Sequence, residues 1–442
     1  MIKKIIILSS LMAGFFIQSC NDDDFVGMTL TPISITTQVK FGGDFASTDA
    51  KAYNANVVFK NAESGIEYIS QTDANGNVIF PTVLPGKYNV NVTLSLSPTQ
   101  FEEYFGYDSG SEENIIFNGM AENIAITTSG TTLSIELLAS NTVGGLVIKQ
   151  IYYAGSHTTL GASFRDQFVE IYNNSNEVIY ADGLIFAQLY GNNTVGTEPY
   201  NLPSGQLNWA LAEGNTKGES ANTDYVYADY VYKIPGNGIQ YPIQPGQSIV
   251  IAATAVNHKS NYTDESGNTV TIKNPELAVD LSNADFEANL TSFTGNQYRY
   301  DIQNPNVPDL EILHWVSGAD MILDNQGRDA YIIMKATPEE FETFNKVKTP
   351  KGGSNSLYLQ IPSSYIIDGV DTTKDLGNNV VPKKLKGSQD SGQTYVVAGA
   401  FTSYAVIRKT QKVVNGRTIL KDTNNSSEDF VNIIATPKGF AN

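Results

Sequence analysis

The stretch Tyr68–Val92, YISQTDANGNVIFPTVLPGKYNVNV, decides the fold. Val, Ile, Phe and Tyr alternate there with polar residues at a period of two, the spacing of strands that bury one face. Asn75-Gly76 supplies the positive φ that a tight turn requires, and Pro85-Gly86 turns the chain into the next strand. Tyr88, Val90 and Val92 then fall on one face.

The same pattern recurs in both directions. Short runs rich in Val, Ile, Thr and Tyr lie between clusters of Gly, Asn, Asp and Pro, and segments with helical period are scarce. The chain is therefore read as all-β. Its 442 residues leave room for two or three domains of roughly 100–200 residues each. A stretch from Ser97 to Ile116 interrupts the strands with Phe101-Glu102-Glu103-Tyr104-Phe105-Gly106-Tyr107 and an acidic tail, Asp108 to Glu113; it is read as a surface loop or short helix.

The run from Thr72 to Val92 resembles the TDxxGxVxF…LxPGxYxVxV signature of the prealbumin-like, carboxypeptidase-regulatory-like β-sandwich. That resemblance implies a sandwich over residues 29–140, serving as a spacer or interaction module. A second unit is expected over residues 144–442. It opens with LVIKQIYY (Leu146–Tyr153) and continues with DQFVEIYNNS (Asp166–Ser175), the Asp182-Gly183 turn, YPIQPGQSIVIA (Tyr241–Ala252) and DTNNSSEDF (Asp422–Phe430). In this order the segments resemble a lamin-tail-type immunoglobulin-like sandwich. Gln150 stands where that family has an acidic residue, so no role is carried over for it. Between the matched segments lie insertions at about 190–237 and 257–349, and loops of that length in a compact domain are functional or disordered. The expected architecture is two immunoglobulin-like or prealbumin-like β-sandwiches, the second with large insertions.

The N-terminus carries Lys3-Lys4, an apolar run from Ile5 to Ile17 broken by Ser9, Ser10 and Gly14, and then Ser19-Cys20. The run is too short to span a bilayer, which needs roughly 20 apolar residues, and reads as a signal peptide over residues 1–19. Cys20 is the only cysteine, and Ile17-Gln18-Ser19 before it resembles the lipobox of lipoprotein signal peptidase. The resemblance implies a lipid anchor on the Cys20 sulfur. Asn21, Asp22, Asp23 and Asp24 open a tether over residues 20–28 and resemble the signal that sends Bacteroidota lipoproteins to the outer face of the outer membrane; a plain solvated linker is the other reading. With Cys20 consumed, no thiol remains for a disulfide, a nucleophile or a metal site. Loss of Lys3 and Lys4 with the leader lowers the formal charge of -18 by two more. Such a balance excludes nucleic acid as a partner and permits cationic ligands.

No Gly-x-Ser-x-Gly elbow, His-Glu-x-x-His pair or phosphate-cradling loop occurs, and no cofactor is called for. His157, His258 and His314 are the only histidines, and could form a metal site only by converging in space. Carboxylates are abundant, but a glycosidase pair is defined by spatial separation and nothing in the sequence marks one. Asp73–Asn77 lacks the later ligands of a calcium loop, whereas the oxygen-rich Asp422–Asp429 run leaves calcium open. The candidate ligand or partner surface is aromatic: Tyr190, Tyr200, Trp209, Tyr225, Tyr227, Tyr230 and Tyr232, all in the first insertion. The competing reading packs Tyr225 and Tyr227 inward from one strand face, and Tyr230 and Tyr232 likewise after a bulge.

As a whole the chain resembles uncharacterised Bacteroidota surface lipoproteins that accompany TonB-dependent receptors. The resemblance implies a non-catalytic outer-membrane accessory, held by its lipid, that captures a nutrient ligand or docks on a TonB-dependent receptor barrel. A surface adhesin for host or matrix protein and a glycan-active hydrolase are the alternatives.

Overall fold

The computed structural model describes residues 31–107, 114–139, 145–196, 199–375, 380–414 and 416–441. Cys20 and the Asn21–Asp24 tether lie outside the described residues, as does the acidic run 108–113. The structure is all-β.

Seven strands build the first unit: β1 (Ile33–Phe41), β2 (Asn56–Asn61), β3 (Glu67–Gln71), β4 (Asn77–Val83), β5 (Gly86–Leu96), β6 (Ile115–Ile126) and β7 (Thr131–Ala139). Their order is β3-β2-β5-β6-β7-β1-β4, with β1 and β7 parallel. β6 and β7 pair only through Phe117 and Asn118. The ribbon folds over at this short seam, so that β4-β1-β7 and β3-β2-β5-β6 share one core around Ile35, Phe59, Phe80, Tyr88, Val92 and Leu137. Alternation along β5 buries Tyr88, Val90 and Val92 and leaves Asn89, Asn91 and Thr93 on the outer face.

The Asn75-Gly76 turn closes as the sequence requires. Gly76 adopts φ 76°, and the Asp73 carboxylate accepts from the backbone N–H of Asn75 and Asn77 at 2.8 and 2.9 Å. That carboxylate organises a turn by backbone bonds alone. Between β5 and β6, helix α1 (Pro98–Phe105) has a Ser97/Gln100 capping box and ends at left-handed Gly106. It is bound to the core, because Phe101 is buried and Phe101 and Phe105 pack with Phe45 and Phe117.

The second unit is two facing sheets. Its strands are β8 (Leu146–Tyr152), β9 (Phe168–Asn173), β10 (Ile185–Leu189), β11 (Tyr225–Lys233), β12 (Ser248–Ala252), β13 (Phe286–Glu287), β14 (Glu311–Trp315), β15 (Ala330–Met334), β16 (Asn345–Val347), β17 (Tyr358–Pro362), β18 (Ile366–Asp371), β19 (Tyr404–Arg408) and β20 (Phe430–Ile434). One sheet runs β16-β17-β11-β10-β15-β18, with β14 also on β11; the other runs β13-β12-β9-β8-β19-β20. Ile148, Ile151, Ile171 and Val406 meet Phe186, Tyr232, Tyr331 and Ile333 between them.

The segments 190–237 and 257–349, expected as insertions, supply central strands to this unit. β11 pairs with β10 and β17, and β15 pairs with β10 and β18. All five residues of β15, AYIIM, are buried. A continuous apolar run of that length is the mark of a strand covered on both faces rather than of a loop.

A buried cation joins the two sheets. Arg408 on β19 donates to both oxygens of Asp368 on β18 at 2.8 and 2.7 Å, to Asp422 at 3.0 Å, to Asp429 at 3.2 Å and to the Ile148 carbonyl at 3.0 Å. The oxygen-rich Asp422–Asp429 loop, left open for calcium on sequence, is thus organised around a guanidinium. Burial pushes Asp368 up to about 7 and Asp429 up to about 6, against the pull of Arg408.

Elsewhere the C-terminal tail closes over a second buried pair. Lys149 Nζ donates to Glu170 at 2.8 Å and lies 3.8 Å from the centre of the Phe440 ring. Gln150 holds the tail by donating to the Thr436 carbonyl at 2.8 Å.

The contacts between the two units include polar ones. Asn118 donates to the Thr423 carbonyl at 2.8 Å and Asn123 to the Pro203 carbonyl at 2.7 Å. Met120 sits so close to Gly387 that a Cβ there would lie 2.7 Å from its Cγ.

Candidate functional site

β11 carries YVYADYVYK between β10 and β17. Its register against β10 slips at one point: Gln188 pairs with Tyr230 and Leu189 with Ala228, leaving Asp229 as an extra residue. This bulge keeps Tyr230 and Tyr232 on the same side of the sheet as Tyr225 and Tyr227. Without it the two pairs would point to opposite faces.

The four tyrosines nonetheless meet different surroundings. Tyr232 is fully buried, with Phe186 and Trp315 rings about it. Tyr230 packs on Trp315 at 4.4 Å between ring centres. Tyr232 belongs to the core between the two sheets, and Tyr230 is half-buried against it. Tyr200 is 40% exposed and lies outside the cleft described next.

Tyr190, Trp209, Tyr225 and Tyr227 do come together. They line a cleft of about 330 Å³ with Met120, Leu202, Gln206, Asn222 and the Lys383–Gly387 segment. Trp209 stacks on Tyr227 with centres 3.7 Å apart, and Tyr190 on Tyr358 with centres 3.9 Å apart. Tyr227 is held at its other end, its hydroxyl donating to the Ala221 carbonyl at 2.8 Å and accepting from Gln360 at 2.9 Å. Trp209 and Tyr227 are themselves buried, at 4% and 3% exposure, and form a fixed backing for the half-buried Tyr190 and Tyr225, the rings a ligand can reach.

Sequence reading missed Tyr358, Gln206, Met120 and the lysines. The signal for the lysines is PKKLKG at Pro382–Gly387, three cations in a strongly acidic chain. Their ammonium groups point to the protein: Lys383 donates to the Gly392 carbonyl, Lys384 to that of Arg328 and Lys386 to that of Asn222. They hold the wall of the cleft in place.

The lining of the cleft contains no carboxylate, imidazole or thiol. Asp229, the extra residue of β11, and Asp329 are two acids that influence one another. Burial pushes both up, Asp329 to about 6, and each feels a like or opposite charge beside it: Asp329 raises Asp229, and Lys384 lowers both. Asp229 Oδ1 has no partner among the described residues.

The histidines stay apart in role. His157 is exposed. His258 and His314 bond to the carbonyls of Thr254 and Leu357 at 3.1 and 3.0 Å, and burial pushes both down to about 4. Among the described residues no three His, Cys, Asp or Glu side chains are placed to share a metal ion.

Residues 244–437 match a family described as a protein of unknown function, DUF4876. The crystal structure of a DUF4876 family protein from Bacteroides thetaiotaomicron is similar to this chain at 26% identity and a TM-score of 0.52, covering 92% of this chain and 96% of that one. A DUF3823 family protein from Bacteroides ovatus matches at 13% identity over 50% of this chain and 98% of that one, with a TM-score of 0.15. No curated protein matches the chain.

Proposed function

We propose that the chain is a non-catalytic, surface-exposed outer-membrane lipoprotein that captures a ligand for, or docks on, a TonB-dependent transporter. The observation that carries this is the cleft at the junction of the two units, where the half-buried rings of Tyr190 and Tyr225 stand beside the amides of Gln206 and Asn222. Binding needs only shape, apolar area and a few fixed polar groups, which the cleft has. Similarity to a Bacteroides protein over nearly the whole chain supports the Bacteroidota setting, and the Lys3–Cys20 sequence supports the anchor.

The test is extraction of the native, lipid-bearing protein in mild detergent, followed by size exclusion and mass spectrometry of what co-elutes. A TonB-dependent barrel in near-equal amount is expected; elution as a lone monomer overturns the docking arm. Cys20→Ser is expected to move the chain out of the membrane fraction, and membrane retention of that variant would overturn the anchor.

A further inference from the structure

The tyrosine cleft is one end of a longer groove. A neighbouring cavity of about 150 Å³ shares Met120 and Lys383 with it, and a third of about 410 Å³ shares Asn56, Val58, Asn91, Asn425 and Glu428 with the second. The three are contiguous along the junction, between the outer face of β2, β5 and β6 and the loops around 383–393 and 421–428. Tyr53 and Tyr104 stand at the far end.

The middle of this groove is neutral. Its charged groups are engaged with one another or within the protein: Lys60 with Glu67 at 2.8 Å, Lys421 with Glu428 at 3.4 Å, and Lys383 with Asp371 at 3.7 Å. Facing the space are Asn56, Asn89, Asn91, Thr93, Ser95 and Asn425. Among the described residues the side-chain amides of Asn56 and Asn91 have no partner within the protein. An amide presents a donor and an acceptor side by side, which matches a pair of neighbouring hydroxyls. The floor is the face of a sheet whose strands β2 and β5 are paired on both sides. β2 and β5 therefore offer an extended peptide no free edge within the groove; the free edge of this sheet belongs to β3, whose Glu67 and Ile69 border it.

We propose that the junction groove binds a linear, neutral oligosaccharide. Asn56 and Asn91 bond its hydroxyls in the middle, and Tyr104 and Tyr225 receive sugar faces toward the two ends. This assignment rests on the capture reading above and names its ligand class.

Calorimetric titration of the full chain in mild detergent tests it, with maltohexaose, cellohexaose, xylohexaose and mannohexaose as neutral probes and hexagalacturonate as the acidic one. At least one neutral hexasaccharide is expected to bind, its disaccharide more weakly. Asn56→Ala combined with Asn91→Ala should weaken binding about tenfold, the effect of losing two hydrogen bonds, at unchanged melting temperature. Failure of all four neutral probes, binding of hexagalacturonate alone, or affinity indifferent to the double substitution each overturns the assignment. Recovery of a transporter barrel by the native protein in any of those cases leaves the docking reading standing, so the two failures are distinguishable.

Discussion

Replacing Arg408 by methionine removes the guanidinium that binds Asp368, Asp422 and Asp429, leaving Lys421 Nζ 3.9 Å from Asp429. The Arg408 side chain is 2% exposed, and those of Asp368 and Asp429 are 2% and 0% exposed. Asp429 would keep Thr423 N at 2.8 Å and Thr423 Oγ1 at 2.7 Å, and Asp368 would keep Ile148 N at 2.6 Å. Those bonds satisfy oxygens but do not cancel charge. Removing one partner of a buried ion pair costs about 3–5 kcal/mol, and in a unit of this size each kcal/mol lowers the melting temperature by roughly 2–4 °C.

The pH dependence separates this from a simple packing loss. In the parent, Asp368 and Asp429 lie above the usual carboxylate range, so their protonated forms favour the fold. That contribution is complete below about pH 4 and is lost as pH rises through about 6 to 7. Without the guanidinium both acids move further up, and the variant loses more stability over the same rise. Thermal unfolding of Arg408→Met against the parent should therefore show a large gap at pH 8 that narrows at pH 5. Arg408→Lys, which keeps the charge but not the two-pronged geometry, should fall between. A gap below about 1 kcal/mol, or one equal at both pH values, refutes the reasoning.

Asp229→Asn removes a like charge beside Asp329, and should raise stability by about 1–2 kcal/mol at pH 8 with no gain below pH 4, since both acids have raised values and lose their contribution as pH rises; urea titrations at the two pH values would read this. Gly76→Ala places a Cβ 2.7 Å from the Val39 carbonyl oxygen at φ 76°, and should cost about 1–3 kcal/mol, seen as an earlier melting of the first unit. Phe440→Ala strips the ring from Lys149 and should cost about 1 kcal/mol, with faster hydrogen exchange along Lys149 to Ile151 as its local signature. Tyr232→Phe should leave ligand binding untouched, because that ring belongs to the core; a change in affinity would place it in the site after all.

By itself the sequence determined that the chain is all-β and where several turns fall. Those features are local: alternation in Tyr88, Val90 and Val92 encodes which face is buried, and Asn75-Gly76 encodes a backbone angle, each readable within a few residues. Ala330–Met334 falls in a segment expected as an insertion, yet forms a central strand, because a strand covered on both faces lacks the alternation that marks one locally. Only the tertiary structure decided which aromatics meet. Tyr190, Trp209 and Tyr227 converge with Tyr358, more than a hundred residues away, through strand register, and one extra residue at Asp229 sets which way half the tyrosines point. The same holds for Arg408, whose partners Asp368, Asp422 and Asp429 come from a strand and a loop on either side of it. Strand pairing in space, which no local period records, brings such groups together.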